Sequence, residues 1–425
     1  MNALKEEVPI RTRFFYGWVI VALAGLGVFF SGPGQTYSVS IFINYYIDDF
    51  GYSRSLVSGI YSAATLGAGF ALFMMGRLVD RFGQRTMMTA VGIMLSLALF
   101  WNAFLLGPIM MFIGFFMIRL FGQGSMTLVP NTLVPQWFIK KRGRALSVMA
   151  IGGFASSAMF PPANAFLIEH VGWRTTWGIW GAAVLIVFVP LAYIFVRNQP
   201  KLIGEVPDGT PKPLKEGEDP NTFIDVNEKS WTLREAMATR AFWFILFCVV
   251  VPALVNTAIT FHLVSIMELR GLGTGIAASV LTLMAVIGFP VTFIVGYLVD
   301  RFSVHYILAI TFFGHIFTLL LLLFTSSWWL AIGFGVVWGM VNGFERIVLN
   351  IVWPNYFGRE HLGSIKGLAQ TVMVVGSALG PLPFGLFYDW LGNYQVIILL
   401  TLLFPITAGV LALSSPQPRY EDYHG

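Results

Sequence analysis

Charged side chains are scarce in this sequence. Asp, Glu, Lys and Arg make up 11% of its 425 residues, where a water-faced domain carries about 25%, so a soluble globular protein is excluded. Cysteine occurs once, at Cys248, which leaves neither a disulfide framework nor a cysteine-based metal site. The six histidines are scattered and show no His-x-x-Glu spacing, so hydrolytic metal chemistry lacks ligands. No Gly-x-x-x-x-Gly-Lys-Ser/Thr run is present to cradle a nucleotide phosphate, and no nucleophile stands beside a base. An enzyme is therefore not expected, and neither is a metal or an organic cofactor.

What is present is apolar: 56% hydrophobic residues, 16% aromatic, and a mean hydropathy of +0.74. A spanning helix needs about 20 apolar residues, because in hydrocarbon every backbone group must be satisfied inside its own segment. Runs free of Asp, Glu, Lys and Arg cover Phe14–Ile47, Ser55–Gly76, Thr86–Ile118, Leu120–Ile139, Ala145–Ile168 and Thr175–Val196. They resume at Ala241–Met267, Gly271–Val299, Phe302–Phe344, Gly367–Tyr388 and Trp390–Pro418. Two are too long for one crossing, and each contains a break, at Gly107-Pro108 and at Ser326-Ser327. The expectation is an all-α membrane protein with 12 transmembrane helices.

The first run contains Ser31-Gly32-Pro33-Gly34, which reads either as a turn between two short spans or as a kink in one helix. Charge placement decides for one helix. Then 21 of the 26 Lys and Arg fall on a single side, together with both termini, and the positive-inside rule makes that side cytoplasmic. The net charge of +5 is thus a topology signal and not a nucleic-acid patch. The first run lacks a small-residue cleavage site and reads as a retained helix. Residues 197–240 read as a flexible cytoplasmic linker, rich in Pro, Gly, Glu and Lys, between a six-helix bundle at 1–196 and another at 241–425.

Gly76-Arg77-Leu78-Val79-Asp80-Arg81-Phe82-Gly83-Gln84-Arg85 recurs 220 residues later as Gly296-Tyr297-Leu298-Val299-Asp300-Arg301-Phe302-Ser303-Val304-His305. Pro135-Gln136-Trp137-Phe138 recurs as Pro354-Asn355-Tyr356-Phe357 at an offset of 219. The halves are a duplication, and paired halves are how many transporters alternate access. The decapeptide resembles the Gly-x-x-x-Asp-Arg-x-Gly-x-Arg signature of the major facilitator superfamily, through Gly76, Asp80, Arg81, Gly83 and Arg85. Phe15-Tyr16-Gly17-Trp18, Trp137 to Ala145 and Gly172-Trp173-Arg174 are similar to its monocarboxylate porter and oxalate/formate antiporter branches. The resemblance implies the major facilitator fold of two pseudo-symmetric six-helix bundles.

Physically, Gly76 lets a neighbouring helix approach, Gly83 allows a tight turn, and Asp80 sits where it can pair with Arg85. The resemblance also implies that Asp80 faces the N-terminus of helix eleven near Gly363 to Lys366. There it would latch one conformation, with Asp300 and Arg301 as the repeated pair.

Arg119 falls near the middle of its span, roughly 16 Å past the Gly107-Pro108 turn. A charge at that depth should face a wet cavity or a partner, so Arg119 is a candidate to bind an anionic substrate group or to relay protons, unless it serves as a structural partner of helix one. Glu345 and Arg346 are the other charges inside a span. Glu345, the only carboxylate well inside a helix, is the candidate proton carrier, and a gate formed with Arg346 is the rival reading. His262 and His315 are weaker candidates beside Glu345, since an isolated intramembrane histidine is more often a hydrogen-bonded packing residue. The broken first helix, with Gln35 and Tyr37, is expected to line the substrate path with Tyr61, Asn131, Asn256 and Asn342. Gly152-Gly153 and Gly376-x-x-x-Gly380 read as close helix contacts.

One departure stands out. Carboxylate-moving relatives use a cation in helix eight, and oxalate exchangers add one in helix eleven, where this sequence has Thr292 and Met373. Substrate identity is therefore not carried over. The reading is an inner-membrane secondary transporter for a small organic anion, monocarboxylate-like and proton-coupled. Its partners are a small-molecule substrate, the lipid bilayer and protons as coupling ion. An exporter of amphiphilic or antimicrobial compounds, and a membrane sensor or scaffold without flux, are the alternatives.

Overall fold

A computed structural model describes residues 12–52, 54–209, 229–418 and 420. The first half runs α1 (Gly17–Phe30), a 3-10 turn at Gly32–Gly34, α2 (Thr36–Phe50), α3 (Arg54–Phe82), α4 (Gln84–Ala103), α5 (Pro108–Met117), a π-helical stretch at Ile118–Ser125, α6 (Met126–Trp137), α7 (Arg142–Ala183) and α8 (Val189–Phe195). The second runs α9 (Leu233–Ala238), α10 (Arg240–Leu269), α11 (Gly273–Val299), α12 (Val304–Phe324), α13 (Trp328–Phe357), α14 (Leu362–Leu379), α15 (Pro381–Leu391), α16 (Gln395–Thr401) and α17 (Leu403–Leu413). No strand occurs among the described residues.

Eleven continuous helical stretches among the described residues are long and apolar enough to cross a membrane. One of them, Arg142–Phe195, has 54 residues and would measure about 81 Å if straight, against a hydrocarbon core of about 30 Å. It turns at Gly172, where φ is +78°, a conformation that favours glycine. Counted as two crossings, it brings the total to the 12 expected from the sequence. The ambiguous first run is a single candidate span, Gly17–Ile43, broken at Gly32–Gly34.

The chain packs as two units, Met1–Ser230 with Gly358–Thr371, and Trp231–Phe357 with Val372–Gly425. In the first, α1 and α7 approach so closely that a Cβ on Gly152 would lie 1.9 Å from the Gly25 carbonyl oxygen. Phe42 stacks on Trp177 with ring centres 4.1 Å apart, and the Trp177 indole donates to the buried Tyr46 hydroxyl at 2.7 Å. In the second, α11 and α13 meet through Gly288 and Gly343, where a Cβ on Gly343 would lie 2.8 Å from the Gly288 carbonyl oxygen.

The segment expected to be a flexible linker is instead folded at both of its described ends; residues 210–228 lie outside the described residues. Asn198 Oδ1 accepts from Arg85 N at 2.8 Å, and Glu205 Oε2 accepts from Tyr16 N at 3.3 Å. The Asp208 carboxylate accepts from Ile139 N, Lys140 N and Lys141 N at 3.2, 2.9 and 3.1 Å. Three side chains of one strap thus serve the N-terminal ends of α4, α1 and α7. The physical reason is that helix N-termini present unsatisfied N–H groups and a partial positive charge. Burial in this strap pushes the Glu205 carboxyl above its usual value, against the opposing effect of the Tyr16 N–H. At the other end, Thr232 and Glu235 form a reciprocal capping box on α9, a local signal the polar composition of this stretch conceals.

Candidate functional site

The chain leaves the helix at Gln35, whose ψ of 151° is extended, and the Gly34 carbonyl accepts from Arg119 Nη1 at 3.1 Å. Arg119 lies in the π-helical stretch, a wider turn common at functional positions. Glycines make the approach possible: a Cβ on Gly34 would lie 2.2 Å from the Ile118 carbonyl oxygen, and one on Gly122 2.9 Å from Gly34 Cα. Arg119 Nη1 also donates to Thr36 Oγ1 at 3.2 Å, the Tyr61 hydroxyl donates to the same oxygen at 3.0 Å, and the guanidinium stands 5.1 Å from the Tyr61 ring centre. The Arg119 residue is 6% exposed and its Nε is unpartnered. No carboxylate is among its contacts in the described residues.

The remaining first-half candidates spread out from this point. Gln35 Nε2 donates to Ser31 Oγ at 3.1 Å, within the helix break. The Tyr37 hydroxyl is 2.8 Å from Ser156 Oγ, so it joins α2 to α7. Asn131 stands twelve residues beyond Arg119, roughly 18 Å along the helix. Its Nδ2 donates to Thr127 O at 2.9 Å, its buried Oδ1 has no partner, and its main-chain carbonyl lies 3.4 Å from Nζ of the buried Lys366.

A second polar cluster lies inside the second unit. Glu345 Oε1 contacts Nε2 of His315, and Glu345 Oε2 accepts from Asn256 Nδ2 at 2.8 Å. Asn256 Oδ1 in turn accepts from Trp338 Nε1 at 2.8 Å. Glu345 is 6% and His315 1% exposed. Sequence reading placed Asn256 on a substrate path and His315 among the weaker candidates; the geometry joins both to Glu345. Helical periodicity puts His315 and Glu345 on separate helices and gives no signal of their pairing. Arg346, the next residue, is exposed, and adjacent helical positions lie about 100° apart. Asn342 Nδ2 faces the Met284 sulfur at 3.8 Å.

The decapeptide signature is anchored in the first unit. Asp80 accepts from Gly363 N at 2.7 Å and Ser364 N at 2.6 Å, and it also contacts the Ser364 hydroxyl. A Cβ on Gly76 would lie 2.2 Å from the Gly363 carbonyl oxygen, so glycine is what admits α14 to α3. The expected Asp80–Arg85 pairing does not form. Arg85 Nε donates to Tyr193 O at 3.0 Å, while Asp80 takes the unsatisfied N–H groups of α14, which are better placed for it. Gly83 adopts φ +78° between α3 and α4. Arg81 lies over the Phe82 ring at 5.2 Å and Arg301 over Tyr297 at 4.1 Å, and Asp300 ends α11.

Membrane-crossing helices in two units, a broken helix against a buried arginine without a counter-ion among the described residues, and a buried acid–imidazole pair define a polytopic membrane transporter. A family model described as Major Facilitator Superfamily matches residues 18–381 and 292–422. The chain belongs to the Major Facilitator Superfamily, whose members are transporters and not enzymes.

Similar curated proteins include the MFS-type transporter YcxA of Bacillus subtilis, 24% identical over 89% of this chain and 90% of that one. Escherichia coli YhjX is 25% identical over 50% of this chain and 48% of its own length. Human monocarboxylate transporter 7 is 27% identical over 49% of this chain and 41% of its own length. This chain thus spans less than half the length of the last two. Among solved structures, the E. coli fucose:proton symporter FucP superposes with a TM-score of 0.69 at 15% identity, over 94% of this chain and 99% of that one. The proton:xylose symporter XylE gives 0.70 at 14% identity, over 95% and 96%. At such identities these two establish the fold alone.

Proposed function

We propose that this transporter moves a small, monocarboxylate-like organic anion by alternating access, coupled to protons, across a cell inner membrane with both termini cytoplasmic. The observation that carries the reading is Arg119: a buried guanidinium with a vacant Nε and no carboxylate partner among the described residues. An uncompensated cation at that depth is costly, and a carboxylate matches its fork geometry. Thr36 and Tyr61, with Gln35 beside them, supply hydroxyl and amide groups to orient the bound anion, and Tyr37, Asn131, Asn256 and Asn342 extend the polar path. The name of the similar monocarboxylate transporter 7 and the proton coupling in the titles of FucP and XylE agree with it.

Residues 1–196 and 241–425 are the two moving bundles, connected through 197–240. The latch is Gly76, Asp80, Arg81, Gly83 and Arg85, repeated in part as Asp300 and Arg301. Each cycle must break the Asp80 hold on the α14 N-terminus, where a carboxylate contributes about 0.3–1 kcal/mol, more when partly buried. Glu345 and Arg346 serve coupling or gating.

Uptake of radiolabelled L-lactate into reconstituted vesicles under an inward proton gradient tests the reading. Arg119→Gln should lower it about a hundredfold, the scale for losing a buried charge-assisted contact. Unchanged uptake kinetics in folded Arg119→Gln and Arg119→Ala protein would refute the assignment, and amphiphile resistance without lactate uptake would favour an exporter.

A further inference from the structure

We propose that His315 and Glu345 hold one proton between them and that this shared proton is the ion the transport cycle couples to, with His315 the residue that makes the site a pair. The proposal rests on the proton-coupled reading above.

The pair is chemically isolated. Among the helices packed around it, α11 and α17 carry no ionisable side chain apart from Tyr297. On α10, Cys248 donates to Ala408 O and His262 is held between the Tyr394 hydroxyl and the Pro381 carbonyl, at 3.2 and 3.0 Å; Arg240 and Glu268 lie at the ends of that helix. On α12, His305 and Tyr306 sit at the first turn, and on α13 Tyr356 sits at the last, with its hydroxyl on Ser415 O. Arg346 is exposed. Among the described residues of these helices, Glu345 is thus the acid at the His315 imidazole.

Asn256 is fixed in orientation. Its oxygen accepts the Trp338 indole N–H, a group that can only donate, so its amide NH2 is turned to Glu345 Oε2. Glu345 keeps Oε1 for His315.

With one proton shared, the pair is neutral, whether as imidazolium beside carboxylate or as imidazole beside carboxylic acid. Release to water leaves imidazole and carboxylate, with charge −1. Arg119 carries +1, and a monocarboxylate cancels it. Fully loaded, with anion and proton, Arg119, the anion and the pair sum to zero; fully empty, Arg119 and the pair again sum to zero. With the anion alone the sum is −1, and with the proton alone +1. Since net charge in hydrocarbon is disfavoured, only the full and empty forms reorient, which is coupling.

Two measurements on full-length protein in vesicles test this. Infrared difference spectra across a pH titration should show a carboxyl signal that is lost in Glu345→Gln and displaced in His315→Gln; a wild-type spectrum in either variant overturns the proposal. Lactate uptake driven by a proton gradient should fall about tenfold or more in both variants, while exchange of labelled for unlabelled lactate without a gradient persists. If both activities fall together, or neither falls, His315 and Glu345 are not the coupling site. His262→Gln should leave both activities unchanged, and a coupling defect in that variant overturns the assignment. Should Glu345→Gln fail to fold, His315→Gln alone must show both the displaced carboxyl signal and the same split. A wild type that takes up no lactate defeats the anion reading alone, and the infrared result still decides the pair.

Discussion

Arg119 and Thr36 touch across two helices of the first half; 219 and 220 residues further on, Trp338 and Asn256 touch across two helices of the second. The duplication has kept a donor facing an acceptor at matched positions and changed its charge. In the first half the donor is a guanidinium whose Nε has no partner among the described residues. In the second it is an indole, which spends its single N–H orienting an amide toward Glu345. One repeat thus offers a cation and the other arranges an acid. The same contrast recurs where a turn precedes a helix: Ile139 to Lys141, before α7, is held by the Asp208 carboxylate, while Arg359 and Glu360, before α14, share the Ser230 hydroxyl at 3.4 Å each.

The largest test of this comparison exchanges the matched donors. Trp338→Phe removes one neutral hydrogen bond, about 1 kcal/mol, and should reduce gradient-driven lactate uptake about fivefold, far less than Arg119→Gln. Equal losses would mean that charge is not what separates the repeats. The two turns come next. Asp208→Asn keeps a residue tolerant of the φ of +65° and removes only the charge; it should lower stability by about 1 kcal/mol, and Asp208→Ala by about 2 kcal/mol, as for lost helix caps. Ser230→Ala should cost about 0.5 kcal/mol, since its bonds are long. Thermal melting ranks the three, and faster tryptic cleavage after Lys140 should accompany the Asp208 variants alone.

The smallest effect concerns the corners after α2 and α10. Asp49 accepts from the Trp173 indole at 2.8 Å and from Arg174 at 2.9 Å, and the indole first, then the guanidinium, hold its carboxyl below the usual value. Its contribution is present above the unfolded-state value, near 3.9, and is lost as pH falls through the lower folded one. At the other corner Arg270 donates to the Leu322 and Thr325 carbonyls. Asp49→Asn should therefore remove a slight acid-side fall in melting temperature, on the surface-pair scale of about 0–1 kcal/mol, while Arg270→Gln should lower melting equally from pH 5 to 8.

Much of the architecture was legible because the bilayer imposes a one-dimensional rule on composition. Uncharged runs marked the spans, Gly107-Pro108 marked a break that the structure places before α5, and the offset of 220 marked the duplication. Gly152 and Gly76 could be read as close contacts because small residues at helix interfaces have few other uses. The polar sites were legible only as isolated residues. Arg119 stood out by its depth, but its grip on the Gly34 carbonyl depends on a π-helical stretch that periodicity does not announce. The strap at Asn198, Glu205 and Asp208 looked like solvated linker, since composition cannot tell a free acid from one that caps a helix.

The sequence by itself determined that the chain crosses a membrane repeatedly, that it is duplicated, and which ionisable groups lie inside the spans, because the penalty for charge in hydrocarbon acts on each residue independently. Only the tertiary structure decided the other partners: Arg85 on the Tyr193 carbonyl and not on Asp80, His315 on Glu345, and Arg119 left without a counter-ion among the described residues. Hydrogen bonds act over about 3 Å between side chains far apart in the chain, so which groups meet is set by helix packing and not by the order of residues.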